Sequence, residues 1–324
     1  MQTNHKSKCQ YSRFRDYRVR KNDIAAEYFK QKGLVVSDRY SYILSSRNNW
    51  RQNMIRADVG DLIEKIQDEC RHAKPTSKPF PLHKYIHHGL SSQAMLFNLL
   101  GPLVISGRLD VLAHALERAG IPVPSNHLTA EFEVEDRNVF GEHKQAQPTS
   151  IDVVISGAAG APLFIESKFV EQSFGGCSLF EAGDCEGGNP ASACERCYLH
   201  AIGRTYWQKM EKHGFLTGAV ISSPICVLAP YYQFFREVLF ALEKGGHFVL
   251  LCDADNPVFL RQGPDGTRGF FPFLKGFVPL QHQNRVHMLT LQTVCDVIEK
   301  SGIANEWMPK FRAKYGIQSL EAKS

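Results

Sequence analysis

At 324 residues the chain can hold one large domain or two small ones, and 43% apolar and 11% aromatic residues supply a buried core, which excludes a wholly disordered chain. No run approaches the roughly 18 to 20 consecutive apolar residues of a membrane span, and the opening MQTNHKSKCQYSRFRDYRVR has no apolar signal segment, so the expectation is a cytoplasmic protein with no membrane contact. The net charge of +5 favours anionic partners without identifying one, and nine cysteines, an odd number, argue against a secreted disulfide framework.

The chain opens on a basic arm. Lys6, Lys8, Arg13, Arg15, Arg18, Arg20 and Lys21 alternate with Tyr11, Phe14 and Tyr17. This suits phosphate contact and base stacking, with Arg13, Arg15 and Arg18 as candidate nucleic-acid contacts, and equally suits a solvated tail. DIAAEYFKQKG then reads as a short helix from Asp23 to Gly33. ADVGDLIEKIQDECRHA places Leu62, Ile63, Ile66 and Cys70 at helical spacing before the three prolines of KPTSKPFP break the pattern. An apolar helix follows in HKYIHHGLSSQAMLFNLLGPLVI to about Leu100, and LDVLAHALERAG is another, closed by Gly120.

At Leu128 the period becomes two. LTAEFEVED sets Glu131, Glu133 and Glu135 on one face and Phe132 and Val134 on the other. SIDVVIS and PLFIESKFV are the next strands, joined by GAAGA, so the sheet is expected to begin with consecutive antiparallel strands. After a cysteine- and glycine-rich insertion, CERCYLHAIGRTYWQKMEKHG reads as a helix, LTGAVISSP as a fourth strand, YYQFFREVLFALEKGG as a helix and HFVLLCDADNP as a strand. VHMLTLQTVCDVIEKSG closes with strand and helix.

Alternation puts Glu166 and Lys168 on one face of PLFIESKFV. Asp152 lies between Ile151 and Val153, where an ionised carboxylate is costly unless it is paired or bound to metal. Two carboxylates on neighbouring strands repel, and a divalent cation between them removes the repulsion. Mg²⁺ (or Mn²⁺) on Asp152 and Glu166 would keep open positions for a phosphate oxygen and a nucleophilic water, with Lys168 stabilising the developing charge. The alternative is an exposed Glu166–Lys168 ion pair worth less than about 1 kcal/mol.

The order helix, acidic strand, IDVVI, short turn, LFIESKF, helix, strand resembles the PD-(D/E)xK nuclease superfamily over roughly residues 85 to 225. HHGLSSQAMLFNLLGPL is similar to the opening of the core in a restriction-endonuclease-like branch. The resemblance implies an α/β fold with an αβββαβ core, Asp152 on its second strand and Glu166 and Lys168 on its third. The proline usually preceding the aspartate is absent, Pro148 standing four residues earlier. Many members add a carboxylate from the first helix or first strand. Here the helix offers Gln93, which would bind metal through its amide oxygen, orient a water or face the nucleic acid, and the strand offers Glu131 and Glu133. Similarity to the recombination-nuclease branch implies backbone contacts from the helix after ExK, for which Tyr206 and Gln208 stand ready with Arg204 beside them.

Cys177, Cys185, Cys194 and Cys197 lie in one glycine-rich segment, and Cys194 with Cys197 forms a C-x2-C half-site. Four such thiolates suit one Zn²⁺ or one [4Fe–4S] cluster, and the sequence does not choose between them. The domain reading is a basic arm and helical extension over 1–82, then a nuclease domain over 83–324 with the insertion at 175–198 and a C-terminal α/β extension. The expected function is metal-dependent hydrolysis of DNA, in restriction, defence or repair. The rivals are a nucleic-acid-binding protein that keeps the fold without the chemistry, and a zinc-stapled interaction protein, which would leave Asp152 unexplained. A homodimer is compatible with double-strand cutting.

Overall fold

Arg13, Arg15, Arg18, Arg20 and Lys21 are part of a helix that starts well before Asp23. In the computed structural model, which describes residues 12–73, 82–142, 148–263 and 266–320, Ser12–Gln31 is one helix, α1. Lys6, Lys8, Tyr11 and the proline-rich 74–81 stretch lie outside the described residues. Phe14, Tyr17, Lys21, Ala25 and Phe29 recur at helical spacing and are buried, while Arg13, Arg15, Arg18 and Arg20 face solvent. The arm's described half is therefore a docked helix. Tyr17 Oη lies 2.9 Å from both Phe169 O and Asp253 Oδ2, and Lys21 Nζ lies 2.7 Å from Asp253. Lys21 also donates to the carbonyls of Tyr315 (2.8 Å) and Gly316 (2.9 Å), so this buried ammonium is fully paired.

Helices α2 (Ala57–Ala73) and α4 (Leu109–Arg118) follow as expected, while α3 (Ser92–Ile105) starts nine residues after His83, because residues 83–91 run through turns, and continues beyond Leu100 with Pro102 inside it. Ser91 caps α3 by accepting the Ala94 N–H. The main sheet comprises β1 (Thr129–Glu135), β2 (Ser150–Ser156), β3 (Leu163–Lys168), β4 (His247–Cys252) and a last strand at Val286–Thr290. β1, β2 and β3 are antiparallel neighbours, and β4 runs parallel to β3 with Lys168 opposite Cys252. This is a mixed α/β restriction-endonuclease-like architecture.

The insertion and its sequel differ from expectation. Short helices α5 (Ser178–Ala182), α6 (Tyr198–Ala201), α7 (Tyr206–Lys212) and α8 (Gly218–Ile221) replace one continuous helix and a fourth strand. Gly203, at φ +85°, breaks the expected helix between α6 and α7. LTGAVISSP has no place in the sheet because β3 is already paired on both sides; the run coils instead into α8 with Val220 buried. The long helix α9 (Leu228–Glu243) then leads into β4. A two-stranded hairpin, β5 (Arg261–Gly263) with β6 (Gly266–Arg268), precedes α10 (Phe270–Lys275). The last strand of the main sheet is thus β7, followed by α11 (Leu291–Lys300) and α12 (Met308–Tyr315).

Helices cover both faces of the sheet. Val153, Ile155, Ile165, Val249 and Leu251 pack into a core that includes α3, α11, α12 and also Ala25, Val59 and Ile63 of the first two helices. Ile151, Val154, Phe164, Phe248 and Leu250 pack with α7 and α9 on the other side. Among the described residues no helix is long and apolar enough to cross a membrane.

Candidate active site

The face alternation slips where the carboxylates stand. Phe132 belongs to one core and Val134 to the other, and so do Val153 and Ile151. The register pairs Phe132 with Val153 and Val134 with Ile151, leaving Glu133 and Asp152 between them. Glu133 has φ +50°, a left-handed conformation that costs a non-glycine residue on the order of 1–3 kcal/mol. Phe132 and Val134 therefore do not share a face as strict alternation predicted, and the twist occurs at the position that carries an acid.

β3 is buried along its whole length because helices cover both of its faces. On it, Lys168 Nζ donates to Glu166 Oε1 at 2.7 Å and to Gln233 Oε1 of α9 at 2.9 Å. The Gln233 amide donates in turn to Glu166 Oε1 and to Glu237 Oε1, each at 2.7 Å. Asp152 Oδ2 accepts the Ser167 backbone N–H at 2.8 Å, which ties β2 to the residue between Glu166 and Lys168. Glu133 accepts from Gln93 Nε2 at 2.6 Å and from Ser150 Oγ at 3.1 Å, and Gln93 Oε1 accepts the His83 N–H at 2.9 Å. Asp152, Glu166, Lys168, Glu133 and Gln93 are thus parts of one polar cluster at one end of the sheet.

The cluster holds more negative charge than it can neutralise. Burial, then repulsion from Glu166 and Glu133, raises the Asp152 carboxyl well above the usual carboxylate range. Burial pushes Glu133 up to about 7; its bonds from Gln93 and Ser150 oppose this and the Glu166 charge adds to it. Burial also raises Glu237, again with Glu166 as the repelling neighbour, and Glu237 Oε2 has no hydrogen-bond partner. Desolvation alone would lower the Lys168 ammonium, but Glu166 and then Glu237 outweigh it and raise its pKa. A divalent cation relieves such an excess. Among the described residues no three His, Cys, Asp or Glu side chains converge as a ready-made cage. Mg²⁺ needs only one or two carboxylates with retained waters, which Asp152 and Glu166 can supply.

The remaining expected residues lie elsewhere. Glu131 is exposed on β1. Arg204 is buried and donates to Gly141 O at 2.6 Å, and Tyr206 is buried with its hydroxyl on Glu142 at 2.9 Å. Neither side chain is offered to a phosphate, and Gln208 of the same helix faces solvent. The helix that reaches the acids is α9, through Gln233 and Glu237. Their spacing of four within the apolar run YYQFFREVLF was the available signal: two polar side chains on a stripe otherwise built to be buried.

The four insertion cysteines are free thiols. Cys177 is buried, Cys194 and Cys197 are half-buried, and Cys185 is exposed with its sulfur accepting the Gly187 N–H at 3.4 Å. Cys226 comes to the same locus: its N–H donates to Gly187 O at 2.7 Å, while the Cys177 N–H donates to Ala229 O at 2.8 Å. Burial pushes the Cys226 thiol up to about 11, with charges at Cys197 and Cys177 acting in the same direction. As arranged, these thiols do not form a metal cage.

Comparison with known proteins gives one family. The model of the family described as Restriction Endonuclease associating with ARP matches residues 15–316. No curated protein matches significantly, and no solved structure does.

Proposed function

Because the chain belongs to the family of restriction endonucleases associating with ARP, we propose that it is a metal-dependent nuclease of the PD-(D/E)xK kind, hydrolysing phosphodiester bonds of DNA at the cluster around Lys168. The observation that carries the reading is the meeting of Asp152, Glu166 and Lys168 on adjacent strands, with Lys168 bonded to both Glu166 and Gln233.

In this reading Asp152 and Glu166 hold Mg²⁺ or Mn²⁺. The cation, when bound, supplies an acidified water and polarises a phosphoryl oxygen. Lys168 keeps its charge among the carboxylates and places an N–H near the substrate phosphate, where negative charge builds as the bond to the leaving oxygen breaks. Gln233 fixes the direction of that ammonium. Glu133, with a pKa near neutrality, is poised to take a proton from the attacking water, and Gln93 and Ser150 hold its carboxylate in place. Arg13, Arg15 and Arg18, exposed on α1, are proposed phosphate contacts.

The cysteine segment is proposed to bind Zn²⁺ or an iron–sulfur cluster through Cys177, Cys185, Cys194 and Cys197, which requires its glycine-rich turns to close further. A homodimer, and association with ARP as in the family's description, belong to the same proposal. The test is cleavage of plasmid and single-stranded DNA in Mg²⁺, Mn²⁺ or EDTA. Asp152→Ala, Glu166→Ala and Lys168→Ala are each expected to abolish metal-dependent cleavage, with losses that do not add because the residues act as a unit. Undiminished turnover in any of the three refutes the assignment. Binding without cleavage in the parent protein would favour the non-catalytic alternative.

A further inference from the structure

The loop from Leu82 to Ser91 stands beside the acidic cluster and is unusually well fixed. Ile86 is buried, and Asn53 Nδ2 donates to both Ile86 O (2.7 Å) and His88 O (2.8 Å). Asn53 is itself held by the buried Lys314, whose ammonium lies 2.7 Å from Asn53 Oδ1. Arg47 donates to Leu82 O at 2.8 Å, and Ile43 bridges His88 in a short antiparallel pair. A loop held at these points presents its side chains at fixed positions.

What it presents is aromatic and basic. Tyr85 is 45% exposed, although a tyrosine ring is usually largely covered. Its ring meets those of His83 (centroids 5.2 Å apart) and His88 (4.7 Å), and the Lys84 ammonium lies 4.7 Å from its centroid. Burial, with the charges of His87 and His83 assisting, lowers His88 to about 4, so this ring is neutral at physiological pH. The His83 N–H ends on Gln93, and Gln93 ends on Glu133, so the aromatic group is two hydrogen bonds from the acidic cluster.

We propose that His83, Lys84 and Tyr85 form a stacking platform for an unpaired base next to the phosphate being cut. The exposed Lys84 can swing off the Tyr85 ring to meet the strand's phosphate and leave a π-face every base can use, and rigid mounting keeps the entropy cost of docking low. A base inside an intact duplex cannot reach Tyr85 in this way, so the platform selects single-stranded, frayed or flipped nucleotides at the cut site. This rests on the nuclease reading and deepens it by naming the substrate state.

The test is equilibrium binding in EDTA, where no cleavage occurs, of a single-stranded oligodeoxynucleotide carrying 2-aminopurine, and of the same sequence as a duplex. In the parent protein the single strand should bind with quenching of 2-aminopurine fluorescence. Tyr85→Ala and Tyr85→Leu should weaken single-strand binding by roughly 5- to 150-fold and remove the quench, Tyr85→Phe should retain both, and duplex affinity should stay within about twofold. Because Tyr85 is exposed, all three variants should melt as the parent does. Equal affinity of parent and Tyr85→Ala for the single strand overturns the platform and leaves the nuclease reading standing, as do equal losses on single strand and duplex. A parent that binds neither oligonucleotide overturns the platform, while the nuclease reading is decided separately by metal-dependent cleavage in the parent protein.

Discussion

Replacing Glu133 with glutamine should make the metal-free protein more stable and less active, and the gain in stability should depend on pH in a calculable way. Glutamine can keep both existing contacts: its carbonyl oxygen accepts from Gln93, and its amide donates to Ser150, whose hydroxyl rotates to accept. What changes is the charge. The folded protein holds the carboxyl near 7 against an ordinary 4.5, so folding disfavours the ionised form. At about 1.36 kcal/mol per tenfold change in proton affinity, that difference is at most about 3.4 kcal/mol, reduced by solvent screening. The sign follows from which state holds the proton. Below about 4.5 the group is protonated folded and unfolded, and there is no penalty. Between 4.5 and 7 the unfolded chain gives up its proton first, so the parent loses stability as pH rises, and above 7 the full penalty applies. Thermal melts of parent and Glu133→Gln from pH 4 to 9, without metal, should coincide at the acid end, diverge through the middle and stay several degrees apart above pH 7. Mg²⁺ should narrow the gap, because a cation on Asp152 and Glu166 favours the ionised form of the neighbouring Glu133. A melting difference that is flat with pH, or that favours the parent at pH 8 without metal, would show that Glu133 does not carry this strain.

The outward arginines of α1 should govern salt dependence. If Arg13, Arg15 and Arg18 each neutralise one phosphate, replacing all three with glutamine should reduce the slope of log affinity against log salt by roughly 3 on duplex DNA; an unchanged slope removes α1 from the interface. For the cysteine segment, protein purified without oxygen should contain about one zinc and no colour, or iron with sulfide and a brown tint. Neither metal, with Cys177, Cys185, Cys194 and Cys197 all alkylated in the native state, removes that site.

The chemistry was most legible where a charge interrupts an apolar strand. IDVVI and LFIESKF announced both their strands and the residues of the proposed centre, because an acid or lysine there has no cheap structural purpose. The partner helix was harder to find. The insertion separates β3 from α9 by some 60 residues, and chain order points first to the segment carrying Tyr206 and Gln208 as the helix after ExK that contacts the nucleic-acid backbone. Order along the chain was a poor guide because α7 packs behind α9, while Gln233 and Glu237 stood in plain view as polar residues on a buried stripe. LTGAVISSP was unreadable for another reason: a short apolar run suits strand or helix alike, and only the lack of a free edge beside β3 decided it.

The basic arm illustrates how a pattern can be read by its charges and missed by its spacing. Phe14, Tyr17, Lys21, Ala25 and Phe29 recur every three or four residues, which is an amphipathic helix with a lysine on its buried side. That lysine is affordable only because Asp253 waits at the end of β4, beside β3. Tyr17 reaches the same aspartate and also the carbonyl of Phe169, the residue after Lys168. The helix whose outer face carries the arginines is therefore bonded, through its inner face, to the end of the strand that carries Lys168. A free tail would raise affinity without setting register. A helix fixed this way places positive charge at a constant distance from Lys168, so a strand bound along α1, as proposed, would be held in one position relative to the acids.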